Sequence, residues 1–301
     1  MKKLQIPSRD GYPLSLRIFE ADKASKAVIQ IIHGMEEHQE RYQDFARFLN
    51  EQGFLVVTSN LRGHGAEVPH EDLGYFKEKN GYRELVHDQI YIRALIRNRY
   101  PDLPVYLFAH SMGTIIARVL LQTQSKHYEK VVLSGYPNYQ AHTALGIFCS
   151  AAIRTLRGSR YKSKFLQKSS VGTFNQSIIN PKTDSDWICA NEEAVEKYLS
   201  DPNCGIGFTC SAFNDLFHLV MMMHKSVNYR NVYKDMPILC LRGEDDPCTG
   251  GEKGSKDSID VLVRAGFDSV QEICYPGMRH EILNEAEHHQ VYEDVANFYL
   301  G

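Results

Sequence analysis

The sequence predicts an α/β protein with a doubly wound, mostly parallel sheet and a helical insertion. Strand-like apolar runs alternate with helical patterns along the chain, and several runs are continuously apolar, as in strands that helices cover on both faces. The alternation stops between residues 138 and 233, where helical patterns occur without a convincing strand. We therefore expect a core formed by residues 1–137 and 234–301, with residues 138–233 as a helical cap inserted between its two parts.

The individual elements follow from the spacing of the apolar residues. Short apolar runs predict strands at Leu14–Phe19, Ala27–Ile32, Leu55–Ser59, Val105–Phe108, Val131–Ser134, Ile238–Leu241 and Gln271–Tyr275. Apolar residues at helical spacing predict helices at Arg41–Gln52, Gly81–Arg99, Thr114–Gln124, Ser255–Ala265 and Glu285–Leu300. The insertion (residues 138–233) contains an apolar stretch at 144–153 and a basic, serine-rich stretch at 154–170.

The composition excludes several classes of protein. A chain of 301 residues with 43% hydrophobic and 24% charged residues is typical of a globular protein with a sizeable core. Its apolar runs fall short of the ~18 residues that a membrane-spanning helix needs. A net charge of −3 with mixed signs gives no basic stripe for nucleic acid. Because the lysines near the amino terminus precede no apolar core, we expect a cytoplasmic protein. The seven cysteines form no CxxC pair, which argues against a disulfide framework or a zinc site.

A serine stands where the strand predicted at Val105–Phe108 turns into the helix predicted at Thr114–Gln124. The turn reads Ala109-His110-Ser111-Met112-Gly113, and small residues on both sides of such a turn keep it free of clashes. A serine at this corner has a strained backbone and an exposed hydroxyl. This context makes Ser111 a candidate nucleophile.

A serine nucleophile needs a histidine to accept its proton and a carboxylate to orient that histidine. His280 lies just beyond the last predicted strand, and Glu244, Asp245 and Asp246 follow the strand before it. All are expected at the carboxyl edge of the sheet, near Ser111. Asp246 is the preferred acid because a residue before proline adopts an extended turn conformation, and Asp245 is the second choice. The chain order serine, acid, histidine is that of the α/β-hydrolase fold.

A tetrahedral intermediate needs N–H donors for its oxyanion. One donor should be the backbone N–H of Met112, the residue after the serine, and another should come from the loop after an earlier strand. Because the strand at Ala27–Ile32 leads into His33-Gly34-Met35, we expect the Met35 N–H as the second donor. His33 itself, at the end of a buried strand, is expected to be a hydrogen-bonded structural residue.

Further motifs accompany these residues. They are His33-Gly34 through Glu37-His38, Arg41-Tyr42, Leu61-Arg62-Gly63-His64-Gly65, the Gly243–Pro247 loop and, in the insertion, Asp186-Trp187, Asp201-Pro202 and Cys204–Thr209. Together, over nearly the whole chain, they resemble the monoacylglycerol lipase and lysophospholipase group of α/β-hydrolases. The resemblance implies that Ser111 is the nucleophile, Asp246 the acid and His280 the base, with the N–H groups of Met35 and Met112 as the oxyanion hole.

The resemblance also implies an activity. It indicates a carboxylic ester hydrolase that acts on monoacylglycerols or lysophospholipids without a metal or organic cofactor. An apolar cap over the serine would form a covered pocket that favours acyl chains, and the cap would touch a membrane or micelle transiently. The alternatives are a small-molecule esterase, a serine aminopeptidase and a catalytically silent lipid-binding member. Two residues depart from the group: Ala109 replaces a glycine, and Asn60 replaces an aspartate ahead of Arg62.

Overall fold

A single sheet forms the centre of the protein. The computed structural model describes residues 1–21 and 24–301. The strands in this part are β1 (Lys2–Pro7), β2 (Pro13–Phe19), β3 (Val28–Ile32), β4 (Leu55–Ser59), β5 (Val105–His110), β6 (Lys130–Ser134), β7 (Ile238–Gly243) and β8 (Val270–Tyr275). Their order across the sheet is β1-β2-β4-β3-β5-β6-β7-β8. Pairing is parallel from β4 to β8 and antiparallel at β1 and β2, so the predicted class is confirmed.

Helices cover both faces of the sheet. They are α1 (Gln43–Glu51), α2 (Gly81–Arg99), α3 (Met112–Gln124), α4 (Thr143–Arg157), α5 (Lys164–Ser170), α6 (Glu192–Ser200), α7 (Cys210–Met223), α8 (Gly251–Ala265) and α9 (His288–Leu300). Successive strand residues point to opposite faces. On β3, Val28 and Ile32 therefore pack with residues of α2, α3 and α8, whereas Ile29 and Ile31 pack with residues of α1 and α9. In the described ranges no helix is both long and apolar enough to cross a membrane.

The strand β1 is not predicted from the sequence. Most side chains of this strand are exposed, so it lacks the apolar run by which the other strands are recognised. It is an edge strand that pairs only along β2, from Lys2 opposite Ile18 to Pro7 opposite Pro13. Backbone hydrogen bonds, rather than burial, hold it in place.

Four predicted helix starts are wrong by two to four residues. The helix predicted from Glu285 begins at His288, because residues 285–287 form a turn. A short 3₁₀ turn at Gln39–Tyr42 includes the predicted start Arg41, so α1 begins at Gln43. Apolar spacing does not distinguish a 3₁₀ turn from the first turn of an α-helix. The helix predicted from Thr114 begins at Met112, directly after the serine, and the helix predicted from Ser255 begins at Gly251.

The stretch between β6 and β7 forms α4 to α7 and, in the described residues, no strand. Within it, α4 packs along α7, where Asn214 donates hydrogen bonds to the Ser150 hydroxyl (2.9 Å) and the Ile147 carbonyl (3.1 Å). The other side of α7 packs on α2 and α3, and its Phe213 and Leu219 belong to the same hydrophobic core as those helices. The insertion is therefore anchored in the core through α7.

Candidate active site

Ser111 lies on the turn between β5 and α3, in a backbone conformation that residues other than glycine rarely adopt (φ 51°, ψ −122°). Its N–H donates to the Ser134 carbonyl (2.9 Å), and the Thr114 hydroxyl donates to the Ser111 carbonyl (2.7 Å). Gly113 lets the turn approach β3, because a Cβ atom there would lie 2.3 Å from the Ile32 carbonyl oxygen. The surrounding contacts therefore stabilise the strained turn that the sequence predicts.

Ser111, His280 and Asp246 form a chain of hydrogen bonds. The Nε2 atom of His280 lies 2.8 Å from the Ser111 Oγ, and its Nδ1 atom lies 3.0 Å from the Asp246 Oδ2. An ionised carboxylate only accepts hydrogen bonds, so Nδ1 carries the proton and Nε2 is left to accept from the serine hydroxyl. All three residues are buried.

The loop after β7 separates the three acidic candidates. Asp246 turns inward, where its Oδ1 also accepts the Cys248 N–H at 2.8 Å. Glu244 and Asp245 are exposed. The histidine therefore contacts the carboxylate that precedes Pro247, and the two alternatives face solvent.

The charge of Asp246 controls the protonation of His280. Burial alone would lower the pKa of His280, but the negative charge and hydrogen bond of Asp246 outweigh it and raise the pKa above its ordinary value. The neighbouring His110 ring, with its centroid 4.9 Å from that of His280, has no such partner. Burial and the charge of His280 lower the pKa of His110 to about 3, so His110 stays neutral.

Two backbone N–H groups lie beside the serine. The loop after β3 passes close to it, since a Cβ atom at Gly34 would lie 3.0 Å from the Ser111 Cβ. The Gly34 N–H donates to the Glu37 carboxylate. Among the residues that the structure describes, neither the Met35 N–H nor the Met112 N–H donates to a protein acceptor, and both residues line the cavity over Ser111.

His33 is a buried structural residue, as predicted. Its Nδ1 donates to the Gly34 carbonyl (2.8 Å), and its Nε2 accepts the Leu61 N–H (2.9 Å). Burial lowers its pKa well below the ordinary value, so the ring is neutral. It thereby links the loop after β3 to the loop after β4.

Ala109 and Asn60, the two residues that differ from the monoacylglycerol lipase and lysophospholipase group, leave the local structure intact. Ala109 is fully buried in β5, where its methyl group is accommodated. Arg62 pairs with Asp88 at 2.6 Å and with Asp10 at 2.7 Å. Its charge is therefore balanced although position 60 is an asparagine.

A buried ion cluster joins the loop after β3 to the loop that carries His280. Arg41 lies 2.9 Å from the Glu37 carboxylate and binds both oxygens of Glu281 at 2.6 Å. The Tyr42 hydroxyl donates to Glu37 at 2.8 Å. Burial would raise the pKa of Glu281, but Arg41 outweighs this effect and lowers it. Arg41 belongs to one of the motifs in the sequence, but its ion-pair partners were not predicted.

The insertion contributes an aromatic wall to the site. The Trp187 ring packs on the His280 ring, with centroids 5.0 Å apart, and Phe174 packs on Trp187 at 4.9 Å. Trp187 is the only tryptophan of the chain. Asp186-Trp187 is one of the motifs that carry the family resemblance, but the sequence indicates no role for Trp187, because no local pattern shows that residues 187 and 280 are neighbours.

A cavity of about 800 Å³ lies between Ser111 and the insertion. Its inner wall is largely apolar and includes Met35, Met112, Ile115, Leu216, Val220 and Phe174. Polar and charged groups, among them Asn138, Thr143, Lys164 and Lys168, line other parts of it. The cavity therefore offers both an apolar surface and a polar region to one ligand.

Two groups of side chains have the donor types of a metal site. They are His38, Asp201 and Cys204, and Asp246, Cys248 and His280. In both groups the histidine already hydrogen-bonds to the carboxylate. Burial raises the pKa of the thiol and so favours its protonated form, whereas metal binding requires the thiolate. Both arrangements favour hydrogen bonding over metal binding.

The fold, with a serine on a strand-to-helix turn and a histidine in contact with its hydroxyl, defines an α/β-hydrolase of the serine hydrolase class. A family model described as serine aminopeptidase, S33, matches residues 23–287, and the chain belongs to this family.

Individual relatives and one solved structure are similar over most of the chain. A monoacylglycerol lipase of Mycolicibacterium smegmatis is 26% identical over 97% of this chain and 94% of its own. A monoglyceride lipase of Rattus norvegicus is 25% identical over 80% of this chain and 72% of its own. The crystal structure of a carboxyl esterase from Bacillus coagulans in complex with glycerol superposes with a TM-score of 0.89, at 25% identity over 100% of this chain and 98% of that chain. The protein is therefore a serine hydrolase of the lipase and esterase type.

We expect Arg41→Met to lower the free energy of unfolding by about 3–5 kcal/mol, because it leaves Glu37 and Glu281 buried without their cation. Urea unfolding measures the change. Arg47→Met on α1 is the matched control, since Arg47 is exposed and its variant should stay within about 0.5 kcal/mol of the native chain. Equal stability of the two variants would contradict the role given to the cluster.

Proposed function

We propose that the protein hydrolyses monoacylglycerols or lysophospholipids with Ser111 as the nucleophile. The observation that carries this proposal is the large, mainly apolar cavity over Ser111, which also has a polar region. Such a cavity matches an amphiphile with one acyl chain and a small head group. The names of the Mycolicibacterium and rat relatives, and the glycerol in the Bacillus esterase, support the same class of substrate.

In the acylation step, the Ser111 Oγ attacks the ester carbonyl carbon and His280 Nε2 takes the hydroxyl proton. Asp246 stabilises the imidazolium that forms and keeps its ring in place. The N–H groups of Met35 and Met112 donate to the oxyanion of the tetrahedral intermediate. As the intermediate collapses, His280 gives its proton to the oxygen of the leaving alcohol, which is glycerol when the substrate is a monoacylglycerol.

In the deacylation step, a water molecule replaces the alcohol. His280 Nε2 takes a proton from this water, whose oxygen attacks the acyl carbon of the Ser111 ester. The second tetrahedral intermediate uses the same two N–H donors. When it collapses, His280 returns the proton to the Ser111 oxygen and the fatty acid leaves.

Two lysines in the cavity support a lysophospholipid as a substrate. Lys164 and Lys168 on α5 both line the cavity, one helical turn apart. Neither forms an ion pair in the parts of the chain that the structure describes. Two cations at this position would favour a phosphate head group over an uncharged glycerol.

An aminopeptidase reaction is the second candidate, and the description of the family favours it. The substrate's terminal ammonium would need a carboxylate in the cavity. Of the buried carboxylates that line it, Glu37 and Glu281 are paired with Arg41, and Glu36 accepts a hydrogen bond from Gln167 at 2.9 Å. Their contacts make an ester the preferred substrate.

The insertion is proposed to touch a membrane or micelle transiently. Four large apolar side chains on α4 and α5 are exposed: Leu145, Phe148, Leu156 and Phe165. Arg154, Arg157, Lys164 and Lys168 lie on the same two helices. An exposed apolar patch beside cations suits an anionic lipid surface.

We expect native protein to sediment with anionic vesicles, and Phe148→Ser to reduce the bound fraction several-fold because it removes an exposed apolar group from this patch. Val263→Ser on α8 is the control, since Val263 is exposed elsewhere on the surface. Equal recovery of all three proteins would count against the contact.

The substrate proposal is tested with aryl esters of short acids, 1-monoacylglycerols of increasing length, a lysophospholipid and an aminoacyl anilide. We expect the native chain to prefer the long monoacyl substrates, and Ser111→Ala to lower kcat by at least about 10³-fold because the nucleophile is lost. Turnover of short esters alone would overturn the lipid assignment. Hydrolysis of the anilide in preference to the esters would support the aminopeptidase, and activity independent of Ser111 would overturn the mechanism.

The proposed base predicts a pH profile. Because His280 must be neutral to accept the serine proton, kcat/KM should rise with pH and level off above a pKa that exceeds the ordinary histidine value of about 6.5. In Asp246→Asn the raising charge is lost while burial remains, so the midpoint should move to lower pH and the plateau should fall by about 10⁴-fold. Asp245→Asn changes the exposed neighbouring residue and should alter neither the midpoint nor the plateau of the pH profile. A loss of activity in Asp245→Asn instead would identify the other acid.

A further inference from the structure

Residues 186–191 of the insertion, here called the clamp segment, lie across residues 279–285, here called the base loop. The two segments are joined by hydrogen bonds along their length. The Arg279 guanidinium donates to the carbonyls of Asp186 (2.7 Å) and Cys189 (3.1 Å), and the Asn191 amide donates to the Asn284 carbonyl (3.2 Å). The base loop is therefore held from the insertion side as well as from the core.

The backbone is fixed on both sides of His280. The Arg279 N–H donates to the Glu285 carboxylate at 2.8 Å, and the Glu281 N–H donates to the Ile188 carbonyl at 2.7 Å. The imidazole between these two points packs on Trp187 of the clamp segment. A catalytic group needs such support, because displacement by about 1 Å can cost about 10²-fold in rate.

Glu285 is the residue on which these contacts converge. Its buried carboxylate accepts the N–H groups of Ala190 (2.9 Å) and Asn191 (3.2 Å) in addition to that of Arg279. Ala190 and Asn191 directly precede α6, and a negative charge is favourable at the N-terminus of a helix. One carboxylate thus joins the two residues before α6 to the residue before His280.

We propose that Glu285 is a positioning residue for catalysis, which acts through the base loop and the clamp segment to keep His280 aligned with Ser111. The inference rests on the proposed function, in which His280 is the base. It also assigns part of the insertion to the catalytic machinery, in addition to its role as a cover for the cavity. Glu285 itself touches neither the substrate nor the reacting atoms.

The test is Glu285→Gln, which replaces one acceptor oxygen with an NH₂ group that faces N–H donors. We expect kcat for a long monoacyl substrate to fall by about 10²-fold while KM changes by less than about threefold, because binding is retained and alignment is lost. The apparent pKa of kcat/KM should move as His280 loses its fixed distance to Asp246. The fluorescence of Trp187, the only tryptophan, should change in the same variant.

Glu287→Gln is the matched control, since this exposed carboxylate lies two positions away. Wild-type kcat and pH profile in a folded Glu285→Gln, with only a lower Tm, would overturn the proposal and leave a structural role. If Glu285→Gln does not fold, Arg279→Met removes the guanidinium hydrogen bonds between the two segments, and an unchanged kcat and pH profile there would overturn the proposed action through the clamp segment. His280→Ala distinguishes failure of the proposed function from failure of the positioning role of Glu285. Activity in His280→Ala would refute the proposed function. An inactive His280→Ala together with a fully active Glu285→Gln would refute only the positioning role.

Discussion

The ion pair between Arg41 and Glu281 is the contact on which the geometry of the site depends. Arg41 belongs to the loop after β3, near the candidate oxyanion donor, and Glu281 follows His280 in the loop after β8. Glu37, the second partner of Arg41, also accepts the Gly34 N–H beside Ser111. Without this cation, the buried carboxylates of Glu37 and Glu281 would repel each other where the two loops meet. One guanidinium therefore sets the distance between the backbone donors and the histidine.

The insertion completes the site from the opposite side. Its contacts with the base loop include many hydrogen bonds to backbone groups, and hydrogen bonds are directional whereas the hydrophobic effect is not. Its apolar helix α7, by contrast, is continuous with the core. The insertion thus combines a rigid part, which touches the histidine, with the exposed apolar surface of α4 and α5, which faces away from the core.

The sequence determines much of this arrangement through local patterns. The strands from β2 to β8 and the serine turn were predictable, because continuous apolar runs and small residues around Ser111 are local signals. The meeting of Ser111, Asp246 and His280 followed from the rule that parallel strands share a carboxyl edge. The exposed β1 lacks an apolar run, and the contacts of Glu285 and Trp187 join segments about one hundred residues apart, so neither leaves a local pattern.

The positions of Ser111 and His280 relative to the sheet have a consequence for how the enzyme loses activity when it is heated. Ser111 follows β5, in the middle of the sheet, whereas His280 follows β8, which is the outermost strand on that side and has two exposed residues. Peripheral strands open with a smaller free energy than central ones. Fraying of β8 would separate the histidine from the serine while the strands around β5 remain folded. We therefore expect heat inactivation to begin at this edge of the sheet, before the core melts.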